Sequence, residues 1–136
     1  MPTSSTALVQ VSKFGESTLS HLEYEAMSEE TLQKLTGYLD TLPDLLDTHP
    51  NYDISYAMGV LTAQISPVVG TYVINKQAPN KQIWLSSPIS GPKRYDWVNN
   101  KWIYNHDGVS LHRLLETEFR QIYKNDKIDF VHLEER

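Results

Sequence analysis

The first residues whose types and spacing suit a chemical function are mostly acidic and lie near the start of the chain. His21, Glu25 and Glu29 are spaced four residues apart, so they share one stripe of a helix. Carboxylates suit hard or borderline divalent metal ions, and an added imidazole favours Fe(II). The stripe is therefore a candidate site for a divalent metal ion such as Fe(II), while a solvated helix face with ordinary surface acids is the alternative. Further acids extend this surface: Glu30, Asp40 and Asp44.

A second group of residues has the composition of a binding surface and lies in the stretch from 70 to 97. Side chains alternate between the two faces of a strand. Ile83 and Leu85 therefore share one face of a predicted strand, and Trp84 falls on the other face beside Gln82. A tryptophan that shares its face with a polar amide belongs on a solvent-facing surface.

The same alternation places polar side chains on the solvent face of the neighbouring strands. The residues predicted on this face are Asn75, Gln77, Trp84 and Arg94. Together with Pro92, from the same segment as Arg94, we call them the outer patch. Trp and Arg are among the side chains most enriched in binding hot spots, so the outer patch predicts a docking surface. An incidental exposed aromatic residue is the alternative.

The remaining reactive residue types do not form a conventional active site. The histidines at 49, 106, 112 and 132 lack metal-ligand spacing, and packing or capping is expected for His106 and His112. Ser86 and Ser87 lack a nucleophile-elbow context, and the chain has no glycine-rich phosphate loop. Since the chain also has no cysteine, it cannot carry a persulfide, a disulfide or a thiolate-ligated cluster by itself.

A helix and a series of strands must position both groups of residues. Apolar residues recurring every three to five places predict a helix over about 20–47, with Ser20 or Ser17 as its N-cap. Pro43 has no backbone donor and should kink or end this helix near Leu42. Alternating β-branched and aromatic residues then predict strands over 52–57, 60–66, 71–77, 81–87, 93–98 and 101–105.

A second helix and a tail follow the strands. Ser110 is its predicted N-cap, and its predicted buried side consists of Leu111, Leu114, Leu115, Phe119, Ile122 and Tyr123. In the polar tail over 126–136, Ile128, Phe130 and Leu133 are spaced to cover the open end of the helix layer. This order predicts an α+β fold, an α/β sandwich in which two helices pack on one face of a roughly six-stranded antiparallel sheet.

Length and charge narrow the class of partner. With 136 residues and 40% hydrophobic residues, the chain suits one domain, predicted over 20–136 after a disordered segment over 1–19. The net charge of −5 is uneven, with −7 over residues 1–60 and +2 over 61–136. An acidic front half argues against a nucleic-acid partner and favours cations or a basic protein surface. No run approaches the ~20 apolar residues of a membrane span, so no membrane partner is expected.

Four segments carry a resemblance to a known family. They are GTYVINKQ, PNKQIWLSS, SGPKRYDW and HDGVSLH, and they resemble the frataxin family almost residue for residue, within a looser match over about 24–123. The resemblance implies the α/β sandwich fold. It also implies that Asn75, Gln77, Trp84 and Arg94 dock on the assembly of the iron–sulfur scaffold protein and cysteine desulfurase.

The resemblance also implies iron binding on the first helix and first strand. We call the predicted iron-binding residues the acidic ridge: His21, Glu25, Glu29, Glu30, Asp40, Asp44 and Asp53. Other positions that are often acidic in the family carry neutral residues here: Gln33, Gly37, Thr41 and Asn51. This thinner ridge predicts weak, water-rich binding of Fe2+.

Residues and resemblance together predict an accessory protein of iron–sulfur cluster biogenesis that binds the desulfurase–scaffold complex and promotes persulfide transfer. The alternative is an iron chaperone or store with ferroxidase activity on the acidic ridge, so enzyme activity is left open. A monomer is expected, with an iron-dependent oligomer as an option. The resemblance implies the mitochondrial matrix, although residues 1–18, with one Lys and no Arg, do not read as an intact transit peptide.

Overall fold

The computed structural model describes residues 19–135. Its elements are, in chain order, α1 (His21–Leu45), β1 (Asp53–Ala57), β2 (Val60–Ser66), β3 (Gly70–Gln77), β4 (Gln82–Ser87), β5 (Gly91–Val98), β6 (Lys101–Tyr104) and α2 (Leu111–Tyr123). Two short 3-10 segments lie at Ala78–Asn80 and Val131–Glu134. The predicted fold class is confirmed, and the predicted strand ends differ from these by two residues or fewer.

The six strands form one antiparallel sheet in which every strand pairs with its neighbour in the chain. Tyr72, Ile74, Ile83 and Leu85 are all at most 2% exposed on one face of the sheet. They join side chains of both helices in a single hydrophobic core. The opposite face, which carries the outer patch, is not covered by any element among residues 19–135. Neither of the described helices has the length and apolar character to cross a membrane.

Helix α1 begins at a capping box. The Ser20 Oγ accepts a hydrogen bond from the Glu23 N–H at 3.0 Å, and the Ser20 N–H donates to Glu23 Oε1 at 2.9 Å, which identifies Ser20 as the N-cap. Leu22, part of the apolar pattern, is nonetheless 83% exposed. The segment predicted to be disordered lies outside the described residues except for Leu19. That residue is instead buried, and its carbonyl accepts a hydrogen bond from Lys81 Nζ.

The sequence predicts that Pro43 kinks or ends α1 near Leu42, and the helix does not end there but continues to Leu45. A proline lacks the N–H that would bond to the carbonyl four residues earlier, here that of Leu39. This carbonyl instead accepts a hydrogen bond from the Tyr52 hydroxyl at 2.6 Å. The helix keeps its last turn because a side chain from the following segment satisfies the acceptor that the proline leaves.

Helix α2 starts at the predicted N-cap, since the Arg113 N–H donates to Ser110 Oγ at 3.1 Å. Its buried side differs from the prediction, because Glu116 and Glu118 are buried. The predicted core residues that are only partly buried are Leu114, Ile122 and Tyr123. An apolar pattern alone cannot reveal acids that become buried through specific partners.

Both buried glutamates are satisfied by donors from other segments. Glu118 accepts from the hydroxyls of Tyr72 at 2.8 Å and Ser87 at 2.6 Å. Glu116 accepts from the Val131 N–H at 3.1 Å. Hydrogen bonds of this kind offset the cost of removing a carboxylate from water. The two residues tie α2 to the sheet and to the tail, respectively.

The tail covers the helix layer as predicted. Ile128 and Phe130 are buried, with 3% and 0% exposure. The Phe130 ring packs edge-on against Tyr38 of α1 and Phe119 of α2, with centroid distances of 4.8 and 5.0 Å. The tail therefore closes the gap between the two helices.

Candidate functional site

Trp84 lies on the middle strand of three that carry the outer patch. It pairs directly with Asn75 on β3 and with Arg94 on β5. The Arg94 guanidinium carbon lies 4.4 Å from the centre of the Trp84 ring, which is a cation–π arrangement. Ile83 and Leu85 on either side of Trp84 are buried, so the predicted register is confirmed and the indole lies on the open face.

The other members of the outer patch complete this surface on the same three strands. Gln77 of β3 pairs with Gln82 of β4, and Pro92 is exposed at the start of β5 opposite Ser86. The Asn75 amide donates to the carbonyl of Lys76 at 3.0 Å, which restrains its side chain. The structure thus gathers all five predicted residues on one face.

Two residues of this face, Gln82 and Asp96, are not among the predicted site residues. Gln82 accepts a hydrogen bond from Trp84 Nε1 at 2.8 Å, and its own amide nitrogen donates to Asp96 at 3.1 Å. Asp96 is only 5% exposed, although strand alternation puts it on the solvent side. The alternation does place both residues here, but only the geometry shows that they contact each other and the indole.

The acidic ridge is partly neutralised by a lysine from the sheet. Lys76 Nζ lies 3.2 Å from Glu25 Oε1 and also forms an ion pair with Glu29. Glu29 further accepts hydrogen bonds from Tyr56 Oη and Gln33 Nε2, both at 2.7 Å. The Lys76 contact, followed by those of Tyr56 and Gln33, lowers the pKa of Glu29 from its ordinary value to about 2. A metal ion at Glu29 must therefore compete with the positive charge of Lys76.

The other ridge residues do not converge. Glu30 forms an ion pair with Lys34 at 3.2 Å. The remaining ridge members are exposed: His21, Asp40, Asp44 and Asp53. Over residues 19–135, no three His, Asp or Glu side chains come close enough together to hold a metal ion. The ridge is thus a set of separate carboxylates that water can reach, with no preformed cage.

The histidines near the second helix differ in environment. His112 is 4% exposed, and burial, followed by the charge of Lys34, lowers the pKa of its imidazole to about 4. Its Nδ1 atom lies 3.6 Å from Glu134 of the tail. His106 is exposed, and its ring centre lies 5.0 Å from that of Tyr104. His112 therefore packs in the interior, as expected for a histidine without metal-ligand spacing.

The fold and this site define a class: a small α+β sandwich whose open sheet face presents a restrained aromatic and polar surface. A family model described as Frataxin-like domain matches residues 17–125. The chain belongs to the frataxin family.

Individual relatives and solved structures agree with this assignment. "Frataxin, mitochondrial" of Caenorhabditis elegans is 53% identical over 118 residues, covering 86% of this chain and 87% of that protein. The "Frataxin homolog, mitochondrial" of Drosophila melanogaster is 48% identical over 122 residues, covering 87% and 64% respectively. A structure of yeast frataxin superimposes with a TM-score of 0.65 at 37% identity, covering 92% of this chain and 99% of the yeast chain. A trimeric frataxin from Saccharomyces cerevisiae, described as complexed with ferrous iron, has a TM-score of 0.57 at 43% identity and covers 71% and 87%.

Proposed function

We propose that this protein is an accessory factor of iron–sulfur cluster biogenesis that docks through the outer patch on a cysteine desulfurase–scaffold complex. The observation that carries this proposal is the Trp84 ring, held on the open sheet face and stacked with Arg94. A Trp and an Arg that are already ordered lose little conformational freedom when a partner covers them. The nematode and fly relatives are named mitochondrial, and we assign this protein to mitochondria, specifically the matrix.

The proposed mechanism follows from the absence of cysteine in the chain and from the position of the outer patch. A protein without cysteine cannot accept or carry the persulfide sulfur. It can promote persulfide transfer to the scaffold only by binding one conformation of the desulfurase–scaffold complex more tightly than another. The outer patch is the surface that would make this distinction, which makes the protein an allosteric activator.

Desulfurase turnover and binding to the complex test the proposal, with Trp84→Ala as the variant. Because the indole lies outside the core, we expect the free energy of unfolding to fall by no more than about 1 kcal/mol. The dissociation constant should rise roughly 30-fold, with loss of stimulation, because a central interface aromatic is removed. Arg94→Ala should also weaken binding, in part through the association rate.

Val68→Ala is the matched control, because it removes a side chain that is 95% exposed and lies outside the outer patch. We expect its stimulation and affinity to equal those of the wild type. A folded Trp84→Ala variant that still stimulates normally would move the interface elsewhere, with the acidic ridge as the next surface to test. Unfolding of Trp84→Ala would contradict the solvent-facing position of the ring.

The acidic ridge supports a second candidate function, that of an iron chaperone or store with ferroxidase activity. The supporting observations are the exposed carboxylates of Asp40, Asp44 and Asp53 and the Lys76-bound pair Glu25 and Glu29. The related yeast protein described with ferrous iron is a trimer. We propose that this chain also binds iron and that iron promotes its assembly into an oligomer. With no preformed cage, the affinity for Fe2+ should be closer to micromolar than nanomolar.

Charge-neutralising variants separate the two functions. Replacing Glu25, Glu29 and Glu30 by glutamine should reduce anaerobic Fe(II) binding and leave desulfurase stimulation in place. Trp84→Ala should do the reverse. Titrated Fe(II) should broaden amide signals near Glu25 and Glu29 first, and broadening that begins at His106 or His112 would contradict the assignment.

A further inference from the structure

A chain of three hydrogen bonds crosses the open sheet face and ends at Trp84. Asn105 Nδ2 donates to Asp96 Oδ2 at 2.8 Å, and Gln82 Nε2 donates to Asp96 Oδ1 at 3.1 Å. Trp84 Nε1 donates to Gln82 Oε1 at 2.8 Å. We call these four residues the indole relay. It connects the segment after β6 to the centre of the outer patch.

Asp96 sets the direction of the relay. A carboxylate can only accept hydrogen bonds, so it requires the amide nitrogen of Gln82 to point towards it. The amide oxygen of Gln82 must then point the opposite way, where it meets the N–H of Trp84. The 5% exposure of Asp96 strengthens this constraint, because water has little access to the carboxylate.

We propose that Asp96 is a positioning residue for the docking surface and that it fixes the Trp84 ring in the free protein through Gln82. This inference rests on the proposed docking function and extends it. The Arg94 guanidinium restrains the same ring at 4.4 Å. A ring restrained by both groups keeps its binding orientation before the partner arrives, so less side-chain freedom is lost on docking.

Asp96→Asn is the informative substitution, because it keeps the size of the side chain while it changes the hydrogen-bonding pattern and removes the charge. Asparagine has one acceptor oxygen and a donor NH2 group, so it cannot accept from both Gln82 and Asn105 as the carboxylate does. The Gln82 amide loses its fixed direction, and the Trp84 N–H loses its constant acceptor. We expect affinity for the desulfurase–scaffold complex to fall roughly three- to ten-fold, the cost of ordering one or two side chains on binding.

The first measurement uses the free full-length chain labelled with 15N. The indole N–H resonance of Trp84 is identified as the one that Trp84→Phe lacks. In Asp96→Asn this resonance should shift and exchange faster with water. Asp126→Asn, which removes the same charge at an exposed position after α2, should leave the resonance unchanged. An unchanged Trp84 resonance in Asp96→Asn would overturn the relay.

The second measurement is a double-mutant cycle on the dissociation constant with which this protein binds the desulfurase–scaffold complex. Trp84→Phe keeps a ring but has no N–H, so Asp96→Asn should cause no further loss in that background. Equal losses in both backgrounds would overturn the proposal, because Asp96 would then act by direct contact or through the fold. If Asp96→Asn does not fold, Gln82→Met is the substitute, because it removes the amide that links Asp96 to Trp84. The same changes in the Trp84 resonance and in affinity are expected for it.

The two measurements also distinguish failure of this inference from failure of the proposed function. If Trp84→Ala binds the complex as tightly as the wild type, the docking function fails, and with it the role of Asp96 in docking. If Trp84→Ala loses binding while Asp96→Asn leaves both the indole resonance and the affinity unchanged, docking stands and the positioning role is overturned.

Discussion

Lys76 determines the chemistry of the acidic ridge more than any of the ridge's own acids does. It contacts Glu25 and Glu29 together, and Tyr56 adds a further hydrogen bond to Glu29. These contacts keep Glu29 ionised but occupy the oxygens that a cation would use. The ridge is therefore acidic in composition, but the charge of Lys76 neutralises part of its negative charge in the folded protein.

Lys76→Met should tighten binding of Co(II), used as a substitute for Fe(II), roughly two- to five-fold, because it removes a competing positive charge from partly exposed carboxylates. Anaerobic isothermal titration calorimetry measures this change in Co(II) affinity. Lys127→Met, an exposed lysine in the tail, is the control and should leave the affinity unchanged. Equal affinity in Lys76→Met and the wild type would show that the ion binds away from Glu25 and Glu29, for example at Asp40 and Asp44.

The two parts of the candidate site differ in how far they could be predicted from the sequence. Strand alternation is a local rule, and it was enough to place Trp84, Asn75 and Arg94 on one face. Helical spacing likewise groups Glu25 with Glu29, but it counts only neighbours on the helix itself. Lys76, 51 residues from Glu25, reaches the ridge through the packing of β3 against α1, which no local pattern contains.

The last turn of α1 depends on an element outside the helix. Pro43 leaves the Leu39 carbonyl without its usual helical donor, and the Tyr52 hydroxyl replaces that donor. The sequence identifies the missing hydrogen bond and predicts a kink or an end near Leu42. It does not show that the helix continues to Leu45, because the compensating hydroxyl lies beyond the turn that follows.

We expect faster amide exchange over residues 42–48 than over 31–39, because one helical hydrogen bond is absent. Tyr52→Phe should increase this difference and lower the free energy of unfolding by about 1 kcal/mol, the typical net value of one hydrogen bond. Hydrogen exchange followed by NMR measures both regions. Tyr38→Phe loses a different bond, the one from the Asp129 N–H, and should leave exchange over 42–48 unchanged. Uniform protection across α1 would contradict this account.

The tail is a structural element even though its sequence is largely polar. Truncation after Lys127 removes Ile128 and Phe130, each worth roughly 1.5–3 kcal/mol when buried. It also leaves Glu116 without the Val131 N–H. The melting temperature should fall by roughly 10 °C or more. Removing only Glu135 and Arg136 is the control, and a melting curve unchanged by the longer truncation would rule out this role.

The stability of the whole molecule should depend on pH through His112. Its pKa is about 4 in the folded protein because the imidazole is buried, and it is about 6.5 when the chain unfolds. The folded state thus binds fewer protons than the unfolded state within this window. The contribution of His112 to the free energy of unfolding is fully present above pH 6.5 and is lost as the pH falls towards 4. The lowered pKa of Glu29 adds a second contribution, which is lost as the pH falls from about 4.5 towards 2.

Urea unfolding at pH 7, 5.5 and 4.5 should therefore show a fall in the free energy of unfolding that approaches roughly 1.4 kcal/mol per pH unit from His112. His112→Gln should reduce this slope between pH 6.5 and 4. His21→Gln removes an exposed imidazole and should leave the slope as it is. A slope that persists in His112→Gln would assign the proton uptake to another group.

The layer over the sheet is supplied by one helix that precedes the strands in the sequence and one that follows them. Trp102 of β6 donates a hydrogen bond to Thr31 of α1 at 2.9 Å, and Tyr72 of β3 donates to Glu118 of α2. Chains leave the ribosome N-terminus first. All six strands have therefore been synthesised before Phe119 and Phe130 can cover their half of the inner face. A chain whose sheet has formed before α2 and the tail pack on it leaves part of the sheet's apolar face in water, so this stage of folding is when the chain most needs protection from aggregation.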